Sequence, residues 1–286
     1  MKTFDKNELH KLFKPKNNSL GEQNGQVTII GGSSLFHGAP LLAVKAASRI
    51  VDMVFFSSPE PSVGDIANNI KSELMSFIWV PWNDVEAYIK KSDAVLMGPG
   101  LMRFTSESQI PNDKFQISND REGKKTREIT ERLLTKFKSK KWVIDAGSLQ
   151  TMDAKWIPPR AIITPNRKEM EMLFKLKTQD VKLIQAEARK YNCIIVAKGP
   201  ETNVASPSET VAVTGGNPGL TKGGTGDILA GLTVGLLAKN DPFLAAAAAS
   251  YLIKAAADEL HKMVGVNYNS DDLSDQIPKT LKKISG

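Results

Sequence analysis

The segment that decides the fold reads GGNPGLTKGGTGDILAGLTVGLLA and spans residues 215–238. Its first half, residues 215–226, is crowded with glycine and shows no apolar periodicity, whereas residues 228–237 are small, apolar and free of proline. The second half therefore predicts a buried helix that begins near residues 224–227. A glycine-rich turn that leads into a helix directs several N–H groups at one point, where the helix dipole adds partial positive charge. The segment thus predicts a pocket for phosphate or for a developing negative charge.

Asp227 stands at the lip of this predicted pocket. A carboxylate repels an anion there, unless its task is to accept a proton from a hydroxyl that attacks a phosphoryl group. The alternative is that Asp227 only caps the helix and that the glycines only form a turn. A bare G-x-G-D motif favours this structural alternative, so the neighbouring segments have to decide between the two.

The composition limits the classes of function. Of the 286 residues, 41% are apolar and 24% are charged, as is typical of a soluble globular protein. The formal net charge of +7 fits an anionic small-molecule ligand. No basic stripe with interleaved aromatic residues is present, so we predict no nucleic-acid partner.

The compartment is predicted from cysteine usage and from the apolar runs. No run approaches the roughly 20 apolar residues of a membrane span, and the polar first residues do not resemble a signal peptide. Cys193 is the single cysteine, which excludes an internal disulfide and favours a reducing compartment. We therefore predict a cytoplasmic protein without a membrane partner.

Short apolar runs alternate with helical patterns along the chain. Strands are predicted at residues 27–30, 53–56, 94–97, 142–144, 161–163 and 193–197, and helices at 39–50, 126–138, 167–176, 178–190, 228–237 and 242–261. This alternation predicts an α/β fold with a mostly parallel sheet covered by helices on both faces. Residues 202–205 and 210–213 predict an antiparallel hairpin at one edge. We predict one domain over residues 26–286, a polar N-terminal leader at 1–25 and an exposed polar loop at 103–125.

Glycine and polar residues follow the predicted strands at the point where each strand ends. These positions are Gly32, Gly98, Gly100, Asp145, Asn166, Lys198 and Asp227. Ligands of open α/β sheets bind outside the carboxyl ends of the strands, so we expect these residues to converge on one rim. Lys198 either meets a phosphate there as a point charge or is a solvated loop lysine. The chain has neither G-x-x-x-x-G-K-[ST] nor G-x-S-x-G, which excludes a P-loop protein and an α/β-hydrolase.

Asn166 and Glu169 lie three residues apart at the start of a predicted helix. An amide oxygen and a carboxylate suit Mg²⁺, mostly through water, with nucleotide phosphates completing the coordination. The same N-x-x-E spacing also forms a capping box, which stabilises a helix start. The spacing alone favours the capping box.

Five segments in one order carry a family resemblance. They read GSSLFHGAP (32–40), GPGL (98–101), TPNRKE (164–169), AKGPETNV (197–204) and GNPGLTKGGTGDILAG (216–231). Together they resemble the ribokinase-like superfamily and, within it, the ADP/ATP-dependent NAD(P)H-hydrate dehydratases. The resemblance implies a three-layer α/β/α sandwich that restores hydrated NADH or NADPH to the reduced cofactor. It also implies ADP or ATP as co-substrate and Mg²⁺ as cofactor.

The resemblance also implies roles for individual residues. In the catalytic turn, Asp227 would accept a proton while Gly224, Thr225 and Gly226 stabilise phosphoryl charge. The residues that would bind the nucleotide are Lys198, Gly199, Pro200, Glu201, Thr202 and Gly226. The residues that would meet the hydrated dinucleotide are Ala39, Gly100, Asn166 and Asp227, with Asn166 and Glu169 near Mg²⁺.

Several positions depart from the family pattern, mostly on the substrate side. The family usually has histidine at Asn166, tyrosine at Phe36 and glycine at Met102, and its D-A-D motif reads D-A-G here, at Gly147. Two alternatives therefore stay open: a small-molecule kinase of the hydroxymethylpyrimidine or pyridoxal type, or a non-catalytic nucleotide sensor. We further predict a homo-oligomer, while the alanine-rich helices belong either to the core or to a subunit contact.

Overall fold

The computed structural model describes residues 1–70, 73–104 and 113–285, and across these residues it shows one ten-stranded sheet flanked by helices. The strands are β1 (Lys2–Thr3), β2 (Gln26–Ile30), β3 (Met53–Ser57), β4 (Ile78–Trp79), β5 (Ala94–Met97), β6 (Lys141–Ile144), β7 (Ile162–Ile163), β8 (Ile194–Ala197), β9 (Thr202–Ala205) and β10 (Thr210–Val213). The α-helices are α1 (Gly38–Ala47), α2 (Pro61–Ile70), α3 (Val85–Lys91), α4 (Asp113–Lys136), α5 (Ala146–Thr151), α6 (Arg167–Phe174), α7 (Val181–Tyr191), α8 (Thr225–Lys239), α9 (Pro242–Val264) and α10 (Ser270–Ser285).

The sheet is mostly parallel, as predicted. Its strands lie in the order β4-β3-β2-β5-β6-β7-β8-β9-β10-β1. Neighbours from β4 to β8 are parallel, whereas β9 runs antiparallel to both β8 and β10. The hairpin β9–β10 lies one strand in from the edge, because β1 pairs in parallel with β10.

The first 25 residues, which we predicted as a polar leader, contribute to this edge of the sheet. Lys2 and Thr3 pair with Val211 and Ala212 of β10. A 3₁₀ helix over Lys6–Lys11 follows, and its Leu9 side chain is buried in the core. An added strand satisfies the backbone groups of β10, which would otherwise form an open sheet edge.

Helices cover both faces of the sheet and produce two cores. Helices α1, α2, α8, α9 and α10 pack on one face, and α3 to α7 pack on the other. Neighbouring residues of a strand point to opposite faces: in β5, Leu96 enters the first core and Met97 the second. Five consecutive alanines of α9, residues 245–249, are buried inside the chain itself. None of the helices in the described ranges is long and apolar enough to cross a membrane.

One helix is longer than the sequence indicated. We predicted an exposed loop over residues 103–125, but α4 already begins at Asp113. Residues 105–112 lie outside the described ranges. Residues 120–125 are mostly exposed, so they show none of the apolar periodicity from which a helix is recognised.

Helix α8 lies over the centre of the sheet, against β2, β5, β6 and α1. At its contact with α1, the backbones of the two helices touch directly. A Cβ placed on Gly231 would overlap the carbonyl oxygen of Ala43 in α1. This close approach sets the direction of α8, whose first turn points at the carboxyl ends of the strands.

Replacing Gly231 by alanine is expected to destabilise the protein by roughly 1–3 kcal/mol, because an added methyl group forces two backbones apart. The measurement is the free energy of unfolding from urea denaturation. Gly38→Ala is the matched control, since a Cβ at that helical position has no heavy atom within 4 Å. It should leave stability unchanged or slightly raised. Equal stability of both variants would contradict a tight contact between α1 and α8.

Candidate active site

Residues from different elements meet at the carboxyl edge of the sheet. Asp145 directly follows β6, and Lys198 directly follows β8. Asn166 and Glu169 lie at the start of α6, after β7, and Asp227 lies in the first turn of α8. Since β6, β7 and β8 are adjacent parallel strands, their ends bring these side chains to one place.

The ammonium of Lys198 lies between two buried carboxylates. Its Nζ atom is 2.8 Å from Oδ1 of Asp145 and 3.8 Å from Oε2 of Glu169. Burial lowers the pKa of Lys198, but the charges of Asp145 and Glu169 outweigh that effect and leave this pKa above its ordinary value. Lys198 is therefore a charged residue held in place at the rim, not a solvated loop lysine.

Asn166 and Glu169 form the capping box that their spacing allowed. The Glu169 N–H donates to Asn166 Oδ1 at 3.0 Å, and the Asn166 N–H donates to Glu169 Oε2 at 2.8 Å. Gln150 donates to the other carboxylate oxygen of Glu169 at 2.8 Å. Burial raises the pKa of Glu169, while the charge of Lys198 opposes that rise. The contact of Asn166 and Glu169 with Mg²⁺ stays a prediction, and among the described residues no three His, Cys, Asp or Glu side chains are grouped to hold a metal ion.

The glycine turn before α8 has the geometry of an anion pocket. Gly224 adopts a left-handed conformation (φ 90°). There a Cβ would overlap Leu42 and crowd Ser270, so only glycine fits. Thr225 closes the turn by donating its hydroxyl to the carbonyl oxygens of Leu220 (2.7 Å) and Lys222 (3.0 Å). The helical hydrogen bonds begin with Ile228 N–H to Gly224 O, at 3.0 Å, so the N–H groups of Gly226 and Asp227 lie outside the helical ladder, while the Thr225 N–H donates to the Lys222 carbonyl at 3.4 Å.

Asp227 carries a strongly perturbed carboxyl group beside this pocket. Burial and the negative charge of Asp145 raise its pKa from the ordinary 3.8 to about 7, and the ammonium of Lys198 opposes the rise. Asp227 is half-buried in the first turn of α8. A group with a pKa near neutrality can take up a proton at physiological pH and release it again. Gly224 is the N-cap residue of α8, and Asp227 lies in the first turn of the helix.

A cavity of about 540 Å³ opens next to Lys198 and the first turn of α8. Its lining consists of Lys198, Gly199, Pro200, Thr202, Gly215, Gly216, Asn217, Pro218, Leu220, Thr221, Thr225, Gly226, Leu229, Ile253 and Lys254. All residues predicted to bind the nucleotide line this cavity except Glu201, which is exposed. A largely apolar pocket with a few charged groups at one end suits a nucleobase that carries phosphates.

Of the predicted substrate residues, Ala39 lies at the start of α1, and Gly100 lies in the loop after β5, which touches the loop between β2 and α1. The N–H of Gly32 donates to the carbonyl oxygen of Pro99 at 2.9 Å. A Cβ on Gly100, whose φ is 71°, would lie 2.6 Å from the carbonyl oxygen of Phe36. Ala39 is half-exposed in the first turn of α1, and the preceding Phe36 is exposed. The two glycine turns therefore form one surface beside the rim.

Position 147 is glycine here, where the family usually has aspartate, and the structure explains this glycine by steric crowding. A Cβ on Gly147 would overlap the carbonyl oxygen of Leu101. The same two segments also meet at Gly98, where a Cβ would overlap the carbonyl oxygen of Asp145. The loop after β5 thus packs directly on the start of α5 and leaves no room for a side chain at position 147.

Lys254 and Asp258 of α9 are site residues that our sequence analysis missed. Lys254 lines the cavity and is 5% exposed, and Asp258 accepts hydrogen bonds from the Gly216 N–H (2.9 Å) and from the Asn217 side chain (3.1 Å). A charged residue within an otherwise apolar, alanine-rich helix was the available signal.

Asp227→Asn is expected to change stability in a pH-dependent way. The pKa of Asp227 is higher in the folded state than in the unfolded chain, so the folded state favours the neutral carboxyl. The free energy of unfolding therefore falls as the pH rises from about 4 to about 7. Asparagine stays neutral, so at pH 8 the variant should be more stable than the unaltered protein by about 2 kcal/mol, after allowing for partial exposure. At pH 4 the two should be alike. Thermal unfolding at both pH values measures the difference.

Asp153→Asn is the control with the opposite sign. The backbone N–H of Lys155 donates to Asp153 and lowers the pKa of that carboxyl, so its contribution is present above pH 4 and lost on acidification. This variant should be less stable than the unaltered protein at pH 8. A uniform loss of stability in Asp227→Asn at both pH values would contradict a carboxyl pKa near 7.

Solved structures share this fold. A ribokinase-like superfamily protein from Enterococcus faecalis superposes with a TM-score of 0.81 at 22% identity, over 99% of this chain and 96% of that chain. An ADP/ATP-dependent NAD(P)H-hydrate dehydratase from Bacillus subtilis, co-crystallised with ATP and Mg²⁺, superposes with a TM-score of 0.78 at 22% identity, over 99% and 98%. These likenesses confirm the predicted ribokinase-like α/β/α sandwich.

Sequence comparisons extend from the fold to the family. A bifunctional NAD(P)H-hydrate repair enzyme of Methanocaldococcus jannaschii is 33% identical over 283 residues, which are 96% of this chain and 52% of that protein, so the chain spans about half of it. An ADP-dependent (S)-NAD(P)H-hydrate dehydratase of Nitrosopumilus maritimus is 28% identical over 303 residues, or 96% and 95%. The NAD(P)H-hydrate dehydratase family model matches residues 27–279. With that match over most of its length, and with the glycine turn, Lys198 and Asp227 in place, the chain belongs to the NAD(P)H-hydrate dehydratase family.

Proposed function

We propose that this chain removes water from hydrated NADH or NADPH, using ADP or ATP as phosphoryl donor, and so restores the reduced cofactor. The observation that carries the proposal is Asp227, with a pKa of about 7, placed at the N-terminus of α8 beside the cavity that Lys198 lines. The names of the relatives from N. maritimus and B. subtilis describe the same reaction.

The nucleotide is proposed to occupy the 540 Å³ cavity. Leu220, Leu229 and Ile253 offer an apolar wall for the base. A Cβ on Gly226 would lie 3.6 Å from Nζ of Lys198, so this ammonium is adjacent to the first turn of α8. Phosphates bound there meet both a point charge and the N–H groups at the helix start.

Asp227 is proposed to act as the general base. The hydroxyl of the hydrated ring attacks the terminal phosphoryl group, and Asp227 takes the hydroxyl proton as the new P–O bond forms and the bond to the nucleotide breaks. The N–H groups of residues 224–227 stabilise the charge of the transferring group, and each such donor is commonly worth roughly 3 kcal/mol. A carboxyl pKa of about 7 supports this role, because such a group can accept a proton near neutral pH.

Phosphorylation makes the subsequent loss of water easy, because phosphate is a better leaving group than hydroxide. The C–O bond breaks with departure of phosphate, and loss of a proton from the adjacent ring carbon restores the double bond. The products are the reduced cofactor, phosphate, and AMP or ADP. A small-molecule kinase with the same base would instead release a stable phosphorylated product.

The charges of the site fit Mg²⁺. Lys198 pairs with Asp145 and Glu169, and the negative charges of these two carboxylates contribute to the raised pKa of Asp227. Asn166 and Glu169 are proposed to hold the ion mostly through water, because the Glu169 oxygens are already hydrogen-bonded to Asn166 and Gln150. When bound, Mg²⁺ would neutralise part of the negative charge of the nucleotide phosphates.

Ala39, Gly100 and Asn166 are proposed to contact the hydrated dinucleotide. The touching loops that carry Gly100 and Phe36 support this assignment, because they form one surface next to Asp145. A homo-oligomer and a cytoplasmic location stay predictions.

Absorbance at 340 nm with hydrated NADH, Mg²⁺ and either ADP or ATP tests the function. We expect a rise that requires the nucleotide, and we expect Asp227→Asn to slow it by about 10²–10⁴-fold because the proton acceptor is lost. Nucleotide binding by the variant, measured by isothermal titration, should stay within about threefold, since the cavity walls are unchanged. No rise with either nucleotide, despite binding, would favour a kinase with another acceptor or a sensor.

The pH dependence of kcat/KM gives an independent test of Asp227. A base has to be ionised to act, so kcat/KM should rise with pH, with an apparent pKa near 7, and level off above about pH 8. Initial rates between pH 5.5 and 9 measure this profile. A flat profile from pH 5.5 to 8 would contradict a general base with this pKa.

A further inference from the structure

The ammonium of Lys254 joins the two loops that form the walls of the cavity. Lys254 lies on α9, and its Nζ atom donates to the carbonyl oxygens of Pro200 (2.5 Å), Gly215 (3.0 Å) and Gly199 (3.4 Å). Gly199 and Pro200 belong to the loop after β8, which we call the first wall, residues 198–202. Gly215 belongs to the loop after β10, which we call the second wall, residues 215–218. An ammonium has three N–H donors, and these contacts use all three.

Lys254 is held differently from Lys198. Among the described residues, no carboxylate oxygen lies within 4.0 Å of Lys254 Nζ, whereas Lys198 has such partners. Burial lowers the pKa of Lys254, and the more distant charges of Asp258 and Glu201 oppose that effect. A buried ammonium paired only with backbone carbonyls is costly, and its hydrogen bonds to these carbonyls are what offset that cost.

Asp258, one helical turn further along α9, fixes the second wall from the same helix. Its carboxylate accepts from the Gly216 N–H and from the Asn217 side chain. Lys254 therefore connects a wall that is already attached to α9 with the wall that carries Lys198. This link adds to the sheet pairing of Thr202 with Val213, which joins the two walls at their base.

We propose that Lys254 is a positioning residue that determines the affinity for the nucleotide by holding the two cavity walls at their separation. This inference rests on the proposed function for the identity of the ligand. Without the ammonium, the carbonyl oxygens of Gly199, Pro200 and Gly215 lose a shared donor, and the first wall loses its hydrogen bonds to α9. Part of the binding free energy must then be used to order the walls, which weakens binding.

Lys254→Met tests this inference, with Lys140→Met as the matched control. Lys140 likewise donates to two backbone carbonyls, of Lys90 (2.6 Å) and Ser92 (2.8 Å), and burial likewise lowers its pKa. It lies just before β6, at the end of that strand away from the cavity. Dissociation constants for ADP and ATP are measured by isothermal titration without hydrated cofactor.

We expect Lys254→Met to weaken nucleotide binding by roughly tenfold or more, and Lys140→Met to bind as the unaltered protein does. In turnover, Lys254→Met should raise KM for the nucleotide and leave kcat within about twofold, because Asp227 and Lys198 are untouched. A purely structural role would lower the Tm of both variants and shift neither dissociation constant. Unchanged binding by Lys254→Met would overturn the inference.

Lys254→Gln and Lys254→Ala provide further tests. Glutamine is neutral but keeps two N–H donors, so it should weaken binding by only about threefold to tenfold, and unchanged binding would again overturn the inference. In Lys254→Ala, ethylammonium ions can occupy the vacated carbonyl site and should restore affinity, whereas Lys140→Ala should not respond. Absence of rescue would overturn the role of the ammonium. An unaltered protein that binds nucleotide without dehydrating the cofactor would overturn only the proposed function.

Discussion

The site depends on how closely α8 approaches its neighbours. Gly231 lets the backbone of α8 touch that of Ala43 in α1, and the apolar residues of α8 are buried over the central strands. A helix held in this way has one direction, and its first turn meets the carboxyl ends of β6 and β8. The partial charge at a helix start acts only over a short range, so this direction decides whether Gly226 and Asp227 can act together with Lys198.

The electrostatics of the rim follow from that placement. Lys198 pairs with Asp145 and Glu169, and the negative charges of these carboxylates oppose the effect of its ammonium on Asp227. Burial then raises the pKa of Asp227 to about 7. An ion-pair network that only stabilised the fold would leave each carboxylate with a partner. Here Asp227 has no ion-pair partner within 4.0 Å among the described residues, which is consistent with its raised pKa.

Residues 266–270, just before and at the start of α10, form hydrogen bonds to the glycine turn. The Ser270 hydroxyl donates to the Gly223 carbonyl at 2.7 Å, and the Tyr268 hydroxyl donates to the Asn217 side chain at 2.8 Å. Lys222 donates to the Val266 carbonyl at 2.6 Å. These contacts join positions about 50 residues apart, so no local pattern in the sequence predicts them.

Local chemistry was readable from the sequence alone: the alternation of strands and helices, the glycine turn with Asp227, and the N-x-x-E capping box each depend on residues within one or two turns of each other. The long-range features were decided only by the tertiary structure. Three such features depend on segments distant in sequence: the pairing of β1 with β10, the pKa of Asp227, and the hydrogen bonds from Lys254 to the two cavity walls. A side chain's charge environment and its acceptors are set by whatever the fold places beside it, and no periodicity in the chain encodes those neighbours.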